Sequence, residues 1–174
     1  NLKLLNTNHQ ESGANPLHAA ASVGHLEIVK TIAKYLTDIN PRNADGTTPL
    51  HLAAAKGHLP IVDYFVSRLT NIYPKDARGL TPLHRAVILG QLAVVDYFVS
   101  RMEEINTANG TFDEGFTPLQ FAMNGKHLDI VEYYLEKLPL NNKNPITDSS
   151  VGWSLLHEAV QSGYLEGVHA ITKY

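Results

Sequence analysis

Apolar residues along the chain follow two alternating patterns. A short run rich in alanine, such as residues 50–55, is followed by apolar residues at i, i+3, i+4 and i+7, such as Val62, Phe65, Val66 and Leu69. The second spacing places its apolar side chains on one face of an α-helix. Polar residues and glycines separate the two patterns. The alternation therefore predicts pairs of helices, each pair joined to the next by a polar turn.

This pair of patterns occurs five times. Each occurrence begins with a segment that has a Pro-Leu-His core or a variant of it: NPLHAAASVGH, TPLHLAAAKGH, TPLHRAVILGQ, TPLQFAMNGKH and SLLHEAVQSGY, starting at Asn15, Thr48, Thr81, Thr117 and Ser154. The starting positions are 33, 33, 36 and 37 residues apart. A period of this length is typical of solenoids, in which a unit cannot bury its own apolar face and packs against its neighbours instead.

Each repeated segment also carries signals for the start and the end of a helix. The first residue has a side-chain oxygen that can cap a helix, and in four units proline follows at the first helical position, where its missing N–H has no effect. Four segments have glycine near their end, at Gly24, Gly57, Gly90 and Gly163. Glycine readily adopts the left-handed conformation that is common at a helix C-cap. In the fourth unit the glycine is one position earlier, Gly125, so we expect a locally different turn there.

The 33-residue period and the T-P-L-H-x-A signature resemble the ankyrin repeat family over about residues 12–174. The resemblance implies an all-α repeat solenoid of stacked helix-turn-helix units, joined by β-turn or hairpin-like loops. We expect one domain over residues 1–174, with units at 12–44, 45–77, 78–113, 114–150 and an incomplete 151–174, and with 1–11 as a partial unit or cap. Because the last apolar pattern stops midway at Tyr174, we expect the chain to belong to a longer array.

Composition narrows the function classes. The formal charge is −3 and charges of both signs are scattered along the chain, so we expect no nucleic-acid partner. No apolar run reaches the roughly 18 residues of a membrane helix, so we expect no membrane insertion. The absence of cysteine fits a reducing compartment and excludes thiol chemistry. We therefore expect a cytoplasmic or nuclear protein that is monomeric as this fragment.

Nine histidines could suggest a metal or catalytic site, but their positions argue against both. Seven of them occupy two repeated positions: His18, His51, His84 and His157 at one, and His25, His58 and His127 at the other. A residue that recurs once per unit serves the unit itself, and the resemblance implies bonds to backbone groups in turns or between units. An HExxH-like start at His157 fails because residue 161 is glutamine. No phosphate-binding loop, dinucleotide fingerprint or nucleophile elbow occurs either, so we expect a non-catalytic chain without metal or cofactor.

Repeat proteins bind partners on extended surfaces built from successive units. The resemblance places such contacts on the turn tips and on the outward face of the inner helices. The sequence offers an apolar and aromatic strip there, consisting of Leu80, Ile88, Leu89, Phe116, Phe121 and Trp153. Charged side chains would edge the strip: Arg78, Arg85, Glu114 and Glu158. Thr47 and Leu52 occupy equivalent positions in the second unit.

The strip predicts a protein or peptide ligand, since exposed apolar side chains with a charged rim are typical of protein interfaces. For Phe116 and Trp153 the alternative is packing across neighbouring turns. The alternative functions are an architectural spacer in a longer array and a substrate-recruiting domain of a larger enzyme, channel or ligase. The resemblance also implies a modification: Asn40 and Asn106 follow an acidic-aliphatic pair at an inter-unit turn, where an asparaginyl hydroxylase can act in family members.

Overall fold

The computed structural model describes residues 12–101, 117–137 and 155–173. In these ranges the chain forms ten α-helices and no strand, with inner and outer helices alternating. The inner helices are α1 (Pro16–Val23), α3 (Pro49–Ala55), α5 (Pro82–Ile88), α7 (Pro118–Gly125) and α9 (Leu155–Gln161). The outer helices are α2 (Leu26–Ala33), α4 (Leu59–Val66), α6 (Leu92–Val99), α8 (Leu128–Lys137) and α10 (Leu165–Lys173).

The helices stack in two rows. Each inner helix packs against the outer helix of its own unit and against the inner helix of the next unit, and the outer helices form a second row in the same order. Hairpin-like turns precede α3 and α5. In them the N–H of Asn43 donates to the carbonyl of Thr47, and the N–H of Asp76 donates to that of Leu80, both at 2.9 Å. The prediction of an all-α repeat solenoid is confirmed.

The inner helices begin at the predicted capping residues. In α3 the side-chain oxygen of Thr48 accepts from the N–H of His51, and the Nδ1 atom of His51 accepts from the N–H of Thr48 at 3.2 Å. Two N–H groups that the helix cannot satisfy by itself therefore have partners. The same reciprocal arrangement starts α1, α5 and α7, at Asn15, Thr81 and Thr117.

The ends of the inner helices follow the predicted glycines with one exception. Gly24, Gly57 and Gly90 all have the positive φ that glycine adopts readily. In the fourth unit Gly125 is the last residue of α7, and the left-handed conformation falls on Lys126, at φ 57°. The predicted local difference is confirmed. A non-glycine residue in this conformation costs about 1 kcal/mol.

The core lies between successive units. The leucine of the repeated segment is at most 1% exposed in the first four units, and so is the apolar side chain four residues later. Phe65, Phe98 and Tyr134 from the outer helices are completely buried in the same cluster. Because each apolar face is closed by the following unit, the burial of one unit depends on its neighbour.

A second histidine position joins the second unit to the first and the fourth unit to the third. The Nε2 atom of His58 donates to the carbonyl of Ser22 at 3.1 Å, and that of His127 donates to the carbonyl of Ile88 at 2.9 Å. The His58 ring also covers Gly24, where an added Cβ would lie 2.7 Å from the imidazole. A larger residue here would displace the His58 ring, so packing favours glycine in addition to the backbone conformation.

Hydrogen bonds between outer helices join the units on the opposite side. The hydroxyl of Tyr97 donates to Asp63, and the hydroxyl of Tyr133 donates to Asp96, both at 2.7 Å. Burial and the bond to Asp63 raise the pKa of Tyr97 to about 12, so the phenol keeps its proton. The guanidinium of Arg101 covers the Tyr97 ring at 3.6 Å from its centroid. Each tyrosine therefore bridges two units.

Leu50→Ala tests how far the fold depends on burial between units. Leu50 is fully buried, and truncation of such a leucine costs about 2–5 kcal/mol. Leu52 lies two residues later on the same helix and is only half-buried, so Leu52→Ala should cost much less. Urea denaturation followed by circular dichroism measures the free energy of unfolding of both variants. Equal losses would contradict the assignment of Leu50 to the inter-unit core.

Candidate protein-binding face

Buried histidines fix the first two inner helices relative to the turns that follow them. The Nε2 atom of His51 donates to the carbonyl of Leu80 at 2.9 Å, and that of His18 donates to the carbonyl of Thr47 at 3.2 Å. Burial lowers the pKa of His51 to about 4, although the bond to the carbonyl opposes this shift. The imidazole is therefore neutral at pH 7. Its role is structural, as its recurrence in the sequence predicted.

Two predicted contact residues do not belong to an exposed face. Thr47 and Leu80, which follow the turn glycines, are 7% and 0% exposed. The turn enters the inner helix at this position and approaches the preceding unit closely enough to bond its histidine, so that unit covers the residue. The prediction that Leu80 contributes to an exposed strip is therefore wrong, and Thr47 offers little surface for its predicted contact with a partner.

A buried ion pair shapes the turn before α5. The Oδ1 atom of Asp76 accepts from the N–H groups of Arg78 and Leu80, at 2.8 and 2.9 Å, and its Oδ2 atom accepts from the guanidinium of Arg85. Burial alone would raise the pKa of Asp76, but the bonds from Arg85 and from the two N–H groups hold it below its usual value. Arg85, predicted as a rim contact, therefore uses its charge within the protein.

The preceding unit forms the same turn without an ion pair. The Oδ1 atom of Asn43 accepts from the N–H groups of Asp45 and Thr47, at 3.1 and 2.8 Å. The residue equivalent to Arg85 is Leu52. A neutral asparagine leaves no buried charge for this inner-helix position to balance. In these two units the turn residue and the inner-helix residue are therefore complementary: a charged Asp76 with Arg85, and a neutral Asn43 with Leu52.

The accessible part of the predicted strip lies on α3, α5 and α7. Leu89, directly after α5, is 49% exposed. Leu52, Ile88 and Phe121 are half-buried on these helices. The ring of Phe121 packs edge-on against His84, with 5.6 Å between the ring centroids. The surface is thus an aliphatic patch with one anchored aromatic ring.

Two further members of this surface lie at inner-helix ends but were not among the predicted contact residues. Val23, the last residue of α1, is 62% exposed, and Lys56, directly after α3, is also exposed. Both occupy the repeat position of Leu89, which is the signal that could have identified them. Arg78, predicted at the rim, is exposed on its turn.

The remaining predicted residues lie in other parts of the chain. Glu158 is half-buried, and burial raises its pKa while a hydrogen bond with the side chain of Asn124 opposes the shift. The Oδ1 atom of Asn40 accepts from the N–H of Leu50 at 3.0 Å, and its hydroxylation stays a prediction. Four predicted residues fall outside the described ranges: Asn106, Glu114, Phe116 and Trp153.

A separate apolar surface lies on α9. Leu156 and Val160 are 37% and 65% exposed, whereas the equivalent residues of the other four units are at most 1% exposed. With His157 and Gln161 they line an open cavity of about 380 Å³. This surface continues the interface along which the units stack, so it differs in kind from the inner-helix face.

Comparison with known protein families agrees with this architecture. A family model described as ankyrin repeats (3 copies) matches residues 31–109 and 103–174, and another, described as ankyrin repeats (many copies), matches residues 2–53. The chain belongs to the ankyrin repeat family. Ankyrin repeats are generally protein–protein interaction modules and are typically non-catalytic. No individual curated protein is significantly similar to the chain.

The described residues contain neither a metal-ligand cluster nor a membrane-spanning helix. Within them, no group of three or more histidine, cysteine or acidic side chains could hold a metal ion. None of the helices in these ranges is long and apolar enough to cross a membrane.

The neutral state of His51 predicts that acid weakens the fold. Histidine ordinarily titrates near 6.5, whereas His51 in the folded chain has a pKa of about 4. Between these values the unfolded chain binds a proton that the folded chain does not. The free energy of unfolding should therefore fall as the pH decreases from 6.5 to 4, by up to about 3 kcal/mol from this group.

His51→Gln provides the matched variant for this measurement. Gln120 occupies the same position in the fourth unit, where its Oε1 atom accepts from the N–H of Thr117 at 2.7 Å, so glutamine preserves the cap. Urea denaturation across the same pH interval should give a flatter profile for His51→Gln than for the unsubstituted chain. His18, whose pKa burial also lowers, retains part of the dependence. Parallel profiles for the two chains would show that His51 does not cause the pH dependence of the free energy of unfolding.

The ion pair of the third unit gives another prediction. Arg85→Ala leaves the Asp76 carboxylate buried with only backbone partners, and should lower the free energy of unfolding by about 1–3 kcal/mol. The double variant Asp76→Asn, Arg85→Leu reproduces the Asn43 and Leu52 pair and should lose much less. Chemical denaturation compares the two variants. A double variant less stable than Arg85→Ala would contradict the equivalence of the two turns.

Proposed function

We propose that the chain is a non-catalytic module that binds a protein or peptide on its inner-helix face. The observation that carries this proposal is the exposure of Leu89, 49%, on a face built from helices. Val23 extends the exposed apolar surface toward the first unit, and the half-buried Leu52, Ile88 and Phe121 add aliphatic and aromatic area. Apolar patches of this kind supply much of the affinity at protein interfaces.

The scaffold behind this face favours binding. Capping boxes fix the starts of the inner helices, and the bonds of His18 and His51 fix the first and second units to the turns that follow them. The face residues therefore keep their positions without a partner, and a ligand loses little free energy in ordering them. We assign the contact to Leu52, Arg78, Ile88, Leu89 and Phe121. Its proposed continuation in the last units consists of Glu114, Phe116, Trp153 and Glu158.

An architectural spacer is the competing function. It is favoured by the continuity of the core, because buried residues from all five units form one hydrophobic cluster. A spacer requires that core, but a spacer role gives no reason for an exposed leucine at position 89. A recruiting role within a larger enzyme, channel or ligase would use the same face as a simple interaction module. We place either form of the binding module in the cytoplasm or the nucleus.

Leu89→Asp tests the binding face. A displayed library of random peptides, selected on the immobilised chain, provides ligands, and fluorescence titration measures their Kd. A carboxylate in the apolar centre should weaken binding by at least roughly tenfold, which corresponds to about 1.4 kcal/mol. Ile28→Asp is the matched control, because Ile28 is also 49% exposed but lies on outer helix α2.

The control variant should bind the selected peptides with unchanged Kd. If the library yields no ligand, or if Leu89→Asp and Ile28→Asp have equal effects, the proposal fails and the spacer is favoured. Circular dichroism establishes that both variants remain folded, as expected for substitutions at exposed positions.

A further inference from the structure

The C-terminal ends of three neighbouring inner helices form an alternating row. The cap residues are Lys56 after α3, Leu89 after α5 and Lys126 after α7, and all three side chains are exposed. Because α3, α5 and α7 pack side by side in this order, the apolar side chain lies between two cations. We call these three residues the cap row.

The cap row belongs to the basic side of the described chain. The inner helices, the residues that cap their C-terminal ends and the turns before them carry six basic residues, Arg42, Lys56, Lys75, Arg78, Arg85 and Lys126, and three acidic ones, Asp45, Asp76 and Glu158. The outer helices and the two residues after each of them carry seven acidic residues, Glu27, Asp63, Asp96, Asp129, Glu132, Glu136 and Glu166, and six basic ones, Lys30, Lys34, Arg68, Arg101, Lys137 and Lys173. The inner-helix side is therefore the more basic of the two.

Neither lysine of the cap row forms an ion pair with another of the described residues. Interaction with the helix dipole is an alternative reason for a lysine at a helix end. Lys126, however, adopts the left-handed conformation at φ 57°, where most other units have glycine. Lys126 directly precedes His127, which bonds the carbonyl of Ile88, so an exposed cation lies near Leu89 at a conformational cost of about 1 kcal/mol.

The spacing of the cap row defines a ligand pattern. Packed helices lie about 8–10 Å apart, and an extended peptide advances about 3.3 Å per residue. A peptide that crosses the inner helices therefore presents successive contact residues about three positions apart. We propose that the cap row binds an extended acidic peptide, in which an apolar residue on Leu89 is flanked by carboxylates that pair with Lys56 and Lys126. This inference rests on the proposed function and specifies the chemistry of its partner.

The test uses the same random peptide library, without any charge bias. Selected peptides should be enriched in aspartate or glutamate about three positions before and after a large apolar residue. Lys56→Glu and Lys126→Glu should each weaken binding of these peptides by at least roughly tenfold. Lys34→Glu is the matched control, because Lys34 is exposed and caps outer helix α2. It can interact with a helix dipole as the cap-row lysines do, but it does not lie on the inner-helix face. Raising the salt concentration should also weaken binding to the unsubstituted chain.

Charge reversal at a helix end can also destabilise the helix, so circular dichroism accompanies each titration. If a reversed variant is unfolded, Lys56→Gln and Lys126→Gln decide the question, with a loss of affinity of about threefold expected for each.

The outcomes separate this inference from the proposed function. Selected peptides whose binding is weakened by Leu89→Asp, but which are not enriched in acidic residues and bind the lysine variants unchanged, would overturn this inference and leave the proposed function standing. Peptides indifferent to Leu89→Asp would overturn the proposed function itself. Equally tight binding of random single-stranded DNA would also overturn the inference, since DNA would use the cations without the apolar contact.

Discussion

The fold depends on a neutral histidine buried between successive units. In the second unit, His51 accepts the N–H of Thr48 through one ring nitrogen and donates to the carbonyl of Leu80 through the other. One side chain therefore sets the start of a helix, the shape of the next turn and the distance between two units. Burial maintains the neutral state that both bonds require, because it lowers the pKa to about 4. The apolar residues that close around the ring thus strengthen the same hydrogen bonds that align them.

Much of this architecture could be predicted because its signals are local and repeated. Thr48, Pro49 and Gly57 lie within one segment, and each acts on the backbone of that segment through a cap or a turn. Leu80 shows where such reasoning fails. Its residue type and its place after a turn glycine indicate an exposed contact, but Leu80 is buried in a turn whose carbonyl accepts from His51, 29 residues earlier in the chain. Contacts between units are not visible in the pattern of a single unit.

The candidate site was harder to predict than the fold for the same reason. Arginine is a residue type that usually lies at the surface. The guanidinium of Arg85 nevertheless donates to the carboxylate of Asp76, nine residues earlier, in a buried turn. Val23 and Lys56 were not selected because aromatic and large apolar residue types guided the prediction, whereas their exposure follows from their position at a helix end. Exposure on a repeat surface is set first by the position within the unit and only then by the residue type.

Neighbouring units are joined by bonds that run in both directions along the chain. His51 donates forward to the carbonyl of Leu80, and His58 donates backward to the carbonyl of Ser22 while its ring covers Gly24. A complete unit brings both donors and both acceptors with it, whereas part of a unit would leave some of them unmatched. Such an array can lengthen during evolution by duplication of whole units, after which each copy can acquire a different surface without any change at the joints.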